Sequence, residues 1–429
     1  VSNTLQGKYR SSRSLEWLNF FLADVQTGLG PFLAAYLASN GWHPDRVGFA
    51  LSFGGLVTVA LQTPAGAAID AVHRKRTLLA VCIGVLVAAA FLLMRNLSAI
   101  SVYSAQFLIG GAGTFLAPTV TAITLGIVGA GAFDKQFGKN QAFNSAGNVF
   151  TALLVAYVSY KFGYRAIFAV SALLAIPAAA SLLAINPKQI DYARARGAVE
   201  EKGQAQGLSS LLRDRVLLSF LASAFLFHLA NAAMLPQLGE MLSKGNPKAA
   251  APFMSGCIIV TQLVIAVTAA WIGKRAAAKG RKPLLFLGFG VLPIRGVLYT
   301  ITHSAAALIA IQTLDGVANA IFGIVSILII KDRTQGTGRF NLAAGSLATM
   351  VGIGAAASTT FGGVLIQHFG YRVSFLGLAA IALLACALLW FAVPETLSNT
   401  AAATSTSASD SKSTTEREGR VEHPPSSIM

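Results

Sequence analysis

The chain has 429 residues, 54% of them hydrophobic and only 12% charged, a balance too apolar for a soluble globular domain and read as that of an integral membrane protein. The net charge of +16 does not argue for nucleic acid as a partner, because the basic residues are spread over alternate loops rather than gathered in one patch. Cys82, Cys257 and Cys386 fall singly in apolar segments without ligand spacing, so no disulfide, metal or cofactor is expected.

An apolar helix of about 20 residues crosses the roughly 30 Å hydrocarbon core of a bilayer. Twelve such spans are predicted, near 15–38, 46–70, 77–95, 98–128, 141–162, 165–185, 216–242, 251–272, 283–302, 304–330, 342–366 and 372–394. Residues 1–14 are polar and basic, with no small-residue cleavage site before a short apolar run, so no removable signal peptide is expected. The first span contains "LNFFLADVQTGLGPFLAAYL", with Asp24 and Gln26 inside it. A charge at bilayer depth costs at least about 2.5–3.5 kcal/mol, so Asp24 is expected to face a cavity, as a proton acceptor or as a ligand for a cationic group. Gln26 is a further cavity candidate.

After the second span, "GAAIDAVHRKR" sets Gly66, Asp70, Arg74 and Lys75 in order. Glycine allows close helix contact, and an acid at a helix end facing basic loop residues can form a charge network that locks one conformation. The plain alternative is that Arg74 and Lys75 only fix orientation. The fourth span carries Gln106, and the fifth carries Asn144 and Asn148 four residues apart on one face. Residues 186–215 are the only long polar stretch between spans, a linker dividing 15–185 from 216–394.

Beyond the linker, His228 and Asn231 are three apart on the seventh span. Arg295 on the ninth span and Asp315 on the tenth differ in depth by only about 5 Å at 1.5 Å per residue, within reach of an arginine. Such a pair serves a proton pathway or simply holds two helices together. Gln312 and Asn319 accompany Asp315. Amides at depth offer donors and acceptors to a polar ligand, or else hydrogen-bond between helices at about 1 kcal/mol each. Residues 395–429 are Ser/Thr/Ala-rich without apolar periodicity and are expected to be a disordered tail.

The two halves repeat. Gly66 falls on Gly273 and Arg74-Lys75 on Arg281-Lys282 at an offset of 207, and "FGYR" at 162–165 recurs at 369–372. Gln106 matches Gln312 at 206, and Asp24 matches Asn231 at 207. Four ordered matches in corresponding spans indicate a duplicated six-span unit.

This plan resembles the major facilitator superfamily, whose parallel halves enclose a site at their junction. Gly66, Asp70, Arg74 and Lys75 resemble its signature between the second and third helices, with His73 where a glycine usually precedes the basic pair. Gly273, Gly280, Arg281 and Lys282 resemble the second copy, with Ala277 in place of the acid. The resemblance implies an all-α integral membrane fold of twelve helices in two pseudo-symmetric six-helix bundles, no enzyme activity, and a cavity flanked by Gln26, Asn144, Asn148, Asn231, Asn319, Gln106 and Gln312. It also implies a proton-binding Asp315 modulated by Arg295; Asp24 is a further proton candidate by its depth, and His228 is either a proton relay or a packed core histidine with a satisfied imidazole. Gln106 stands where many proton-coupled members carry arginine, so that role is not carried over. The fifth span lacks the Gly-Pro element of the drug/proton antiporters.

The function expected is proton-coupled transport of a small organic solute by alternating access. The alternatives are an uncoupled facilitator and a transporter-like sensor. The expected partners are the lipid bilayer, the solute and protons, around a monomer. The basic loops place both termini and residues 186–215 on the cytoplasmic side of a cytoplasmic (inner) membrane.

Overall fold

The computed structural model describes residues 2–27, 33, 36, 37, 40–42, 44–163, 165–198, 213–245, 247–302 and 304–397. Their regular structure is helical, with no strand among the described residues. The α-helices are α1 Ser2–Thr27, α2 Pro44–Ala71, α3 Lys75–Arg95, α4 Ala99–Phe162, α5 Arg165–Leu183, the short α6 Tyr192–Ala195, α7 Arg215–Asn231, α8 Met234–Gly245, α9 Pro247–Lys279, α10 Lys282–Leu298, α11 Ala305–Thr334 and α12 Phe340–Ala392. Eight helices among the described residues are long and apolar enough to cross a membrane. Phe107, Ile176, Val267, Leu384 and Phe391 are exposed on them, as surfaces meeting lipid require.

Two of these helices are hairpins. Straight, the 64 residues of α4 would extend about 96 Å at 1.5 Å per residue. Gly129, at φ +73°, breaks the helix instead, and Asn140 Nδ2 donates to Thr124 Oγ1 at 3.0 Å across the turn, so the two limbs lie side by side. In α12 the break is Gly370, at φ +80°, and Ser374 Oγ donates to the Gly362 carbonyl at 3.2 Å. Both are left-handed turns that glycine adopts without a Cβ penalty.

Boundaries differ from the sequence reading where polar residues find partners. The second limb of α4 starts just after Gly129 rather than at 141, because Phe133 is buried and Asp134, Gln136 and Asn140 are hydrogen-bonded. α1 starts at Ser2, well before the predicted span. The seventh span is broken at Ala232 and Ala233 into α7 and α8, where Ser358 Oγ accepts from the Ala233 N–H at 2.9 Å. Glu395 to Leu397, expected to begin the tail, are held by hydrogen bonds at the start of α10; residues beyond 397 lie outside the described residues.

The internal repeat reappears as repeated contacts. A Cβ on Gly66 would collide with the Asn341 carbonyl oxygen, and one on Gly273 would lie 2.6 Å from that of Asp134. Likewise Gly110 lies against the Gly54 carbonyl and Gly316 against that of Thr261. Each pair maps onto its counterpart at an offset of 206 or 207. Close approach at small residues, the usual device of membrane helices, thus joins α2 to the first limb of α12 and the second limb of α4 to α9.

Each half has its own apolar core, Leu18, Leu86, Leu116 and Leu182 in one and Phe227, Phe289, Ile321 and Leu389 in the other. Leu125, Phe133 and Phe137 of the first half belong to the second core. The halves are therefore packed together at the end bearing Arg74, Lys75, Arg281 and Lys282, the basic end.

Candidate functional site

A cavity of about 370 Å³ lies between the halves, running inward from the start of α12 at the basic end. Asn19, Thr58, Gln62, Thr114, Thr124, Asn140, Gln141 and Asn144 provide its polar lining, with Leu22, Phe137, Ile327 and Phe340 as apolar walls. A second cavity of about 160 Å³ continues toward the middle of the bundle and shares Gln141 and Asn144 with it. Its wall includes Asn148, Gln262 and Asn319.

One helical face builds much of this chamber. Gln136, Asn140, Asn144 and Asn148 recur every four residues on the second limb of α4, the spacing that stacks side chains along a helix. Gln136 Nε2 donates to Asn140 Oδ1 at 3.0 Å, and Asn148 Nδ2 to Asn144 Oδ1 at 3.4 Å. Asn144 also donates to the Asn19 carbonyl at 3.3 Å, and Asn148 reaches Gln262 of the other half at 3.5 Å. These ties satisfy amides that would be costly to bury alone.

Apart from Asn319, the other described polar residues singled out from sequence within the spans are placed elsewhere. Arg295 donates to Asp315 inside the second half. It is 1% exposed, and its Nη2 donates to Asn231 Oδ1 at 2.5 Å. Gln312 Nε2 donates to Asp315 Oδ2 at 3.0 Å and accepts from Tyr299 Oη at 2.5 Å, while Thr261 Oγ1 donates to Asp315 at 3.4 Å. Asn319 donates to the Asp315 carbonyl at 3.0 Å, which makes it the link between this network and the chamber wall. Gln106 ties α4 to the Ala50 carbonyl at 3.0 Å. His228 packs on the rings of Phe227 and Phe322, with Nδ1 3.4 Å from the Ala224 carbonyl, and lines neither cavity. The side chains of Asp24 and Gln26 lie outside the described residues.

The basic end is shut by two chemically different latches. Asp70, 4% exposed, accepts from Asn341 Nδ2 at 2.7 Å and from the backbone N–H groups of Asn341 and Leu342 at 3.2 and 2.9 Å. Its hydrogen-bond partners are thus the amides at the start of α12, not the basic loop expected from sequence. A helix start leaves unpaired N–H groups and a partial positive charge, which a carboxylate satisfies. Lys75 instead donates to the Ile69 and Val72 carbonyls at the end of α2, and Arg74 is exposed.

In the second latch Arg281, 1% exposed, pairs with Asp134 of the first half at 2.6 Å and with Asp332 at 3.0 Å. Lys331 reaches Asp134 at 2.5 Å. Gly280 precedes the pair at φ +95°, and a Cβ there would strike the Glu395 carboxylate. Burial alone would push Glu395 up, but backbone N–H groups of Arg281, Leu397, Lys282 and Thr396 donate to it and hold its carboxyl below the usual glutamate range.

Residues 186–198 strap the same end. Tyr192 Oη donates to the Asp70 and Ala71 carbonyls, both at 3.1 Å, and its ring stacks on His73 with centroids 3.6 Å apart. The Gly197 carbonyl accepts from Gly336 N–H at 2.6 Å and that of Arg196 from Phe340 N–H at 3.2 Å. Asn19, Gln62, Asn140, Gln141 and Gln262 escaped the sequence reading. For Asn140 the four-residue spacing to Asn144 was the available signal; isolated amides on other helices carry none.

The chain matches the profile of the Major Facilitator Superfamily over residues 17–292 and 232–421. Over 394 residues it is 39% identical to an uncharacterized MFS-type transporter of Mycobacterium tuberculosis, spanning 90% of this chain and 94% of that one. Its fold matches that of the proton:xylose symporter XylE bound to 6-bromo-6-deoxy-D-glucose with a TM-score of 0.68 at 16% identity, over 92% of this chain and 97% of that one. The human organic anion transporter MFSD10 (TETRAN) gives 0.67 at 14% identity, over 89% and 99%. At such identities the two structures speak for the fold alone.

Proposed function

Because the chain belongs to the Major Facilitator Superfamily, and so is a multi-pass membrane transporter, we propose that it moves a small organic solute through the amide-lined chamber by alternating access. The observation that carries this reading is the placement of the chamber at the junction of the halves, directly behind two latches that bridge them. Breaking the latches would let the halves rock about the chamber, the motion through which transporters of this build work. In this reading the basic end is cytoplasmic, with both termini and the strap, by the excess of Lys and Arg there.

Proton coupling is part of the proposal. Asp24 and Asp315 are the acids assigned to the proton, with Arg295 as the cation that Asp315 exchanges for it. The domain division at the linker, a monomeric state and a cytoplasmic membrane belong to the same reading. Solute flux in reconstituted vesicles, with and without a pH gradient, tests it. Gradient-driven accumulation that is lost in Asp24→Asn or Asp315→Asn, with ligand binding retained, is the expected result.

The neutral lining of both cavities favours one second reading, an uncoupled facilitator, since no described wall residue titrates. Flux that ignores the pH gradient selects it. A ligand that binds and never crosses selects a sensor instead.

A further inference from the structure

None of the described residues lining the two cavities is ionisable. The hydroxyl protons of the threonines in the larger cavity's lining are already spent inside the protein. Thr58 donates to the Gly54 carbonyl at 2.9 Å, Thr114 to Gly111 at 2.7 Å, and Thr121 and Thr124 to Ala117 and Val120 at 2.8 Å each. A hydroxyl has one proton and two lone pairs, so these threonines can offer only acceptors to a ligand.

Asn341 spends both amide protons, on Asp70 at 2.7 Å and on the Ala195 carbonyl at 3.2 Å. Its Oδ1 is then left buried without a partner, on a residue 0% exposed that lines the larger cavity. Gln62 Oε1, in the same lining, is a second buried acceptor with no partner. Native proteins leave few buried polar atoms unpaired, and each calls for an account. Two orphaned acceptors in one cavity are accounted for by a ligand that donates to them.

Charge narrows the class further. An anion would meet no described cation among the lining residues. A cation would meet no described carboxylate to offset the loss of its hydration, which is the larger cost for any ion taken from water. The apolar walls formed by Phe137, Ile327 and Phe340 suit the carbon skeleton of an organic molecule, and about 370 Å³ falls within the usual range for small-molecule sites.

We propose that the chamber binds an uncharged organic solute rich in O–H or N–H donors, which Gln62 and Asn341 accept. The proposal rests on the transporter reading and names the solute class for it.

Thermal unfolding of the full-length protein in detergent tests it with three probe sets: the uncharged polyols myo-inositol and glucose, the anions gluconate and glucuronate, and the cations choline and glucosamine. A ligand that prefers the folded state raises the midpoint. The expected result is stabilisation by the uncharged set alone, absent for permethylated inositol, which has no donors. Gln62→Leu, with an unchanged midpoint when no ligand is added, is expected to weaken that binding about 3–10-fold, the loss of one hydrogen bond. Stabilisation by gluconate or choline in place of the polyols, by permethylated inositol as well as inositol, or by no uncharged probe overturns the proposal. A choline effect abolished in Asp24→Asn gives the site to a cation. Vesicle uptake of the same probes keeps the two readings apart: a polyol that binds without crossing overturns transport and leaves the ligand class, whereas uptake of a charged probe alone does the reverse.

Discussion

Asp134 and Asn341 occupy equivalent places in the two halves, 207 residues apart, and each presses its main-chain carbonyl against a glycine of the opposite half, Gly273 and Gly66 respectively. Their side chains then do opposite things. Asn341 hands its amide to an acid, and Asp134 takes the guanidinium of Arg281. One duplicated backbone contact is thus secured by a capped helix start on one side and by an ion pair on the other.

The glycine contact leads to the first prediction. Gly66→Val places atoms where the Asn341 carbonyl sits, and overpacking of this kind costs about 1–3 kcal/mol, charged here to the closed basic end alone. Spin labels on Arg74→Cys and Gln335→Cys should report a longer distance in the variant, with transport reduced. An unchanged distance distribution would remove the glycine from closure.

The second concerns Asp70. Its carboxylate caps a helix in the other half, and loss of a helix cap costs about 0.5–2 kcal/mol. Asp70→Ala should therefore shift the same label pair toward the open form, while reversing the charges of Arg74 and Arg76 should shift it far less. Equal effects would restore the basic loop as the acid's partner.

Asp134→Ala strips the buried Arg281 and Lys331 of the carboxylate they share, leaving both with Asp332. Breaking a buried pair costs about 3–5 kcal/mol, whereas replacing both members by apolar groups is far cheaper. The double variant with Arg281→Met should accordingly unfold at a higher temperature than Asp134→Ala alone. Additive losses would mean the pair is not coupled.

The duplication was legible because it was written in residue types: the glycines and basic pairs recur at one offset, and the folded contacts follow them. The partners of the latches were not. Asp70 finds its donors 271 residues away, at a helix start whose N–H groups have no sequence signature of their own. The depths of Arg295 and Asp315 were readable from helical rise, but their separation from the chamber was not, because it depends on which way a helix is rotated in the bundle. Of the amides lining the chamber, those on a regular four-residue stripe were partly visible and the solitary ones were silent.

For Arg295 and Asp315 a comparison of variants separates holding from working. Asp315→Asn leaves Arg295 with only neutral partners and should lower stability by about 3–5 kcal/mol. Arg295→Met with Asp315→Leu should recover most of it. If the pair serves the proton, the recovered protein transports without coupling to a gradient; coupled transport in that protein would make the pair a strut.

Glu395 gives a pH dependence of definite sign. Its folded-state pKa is depressed, so its contribution is fully present above the unfolded value of about 4.3 and is lost as pH falls through the lower folded value. Hydrogen exchange at Arg281 and Lys282, taken relative to the intrinsic rate at each pH, should therefore be slow at neutral pH and quicken below about pH 4. In Glu395→Gln it should be faster throughout and lose that step; a step of equal size in both proteins would assign it to another group.

The strap has a consequence for how the molecule is made. Ala195 leaves the ribosome 146 residues ahead of Asn341, whose amide it accepts, an interval of roughly 7–30 s at about 5–20 residues per second. Throughout that time the carbonyls of Ala195 and Gly197 lack the donors they accept from in the finished fold, and Asp70 has no helix to cap. The first half must therefore wait, inserted but unsealed, until the last hairpin emerges. A nascent chain stalled before residue 336 should be cut by added protease between Tyr192 and Gly197, and a chain released at full length should resist.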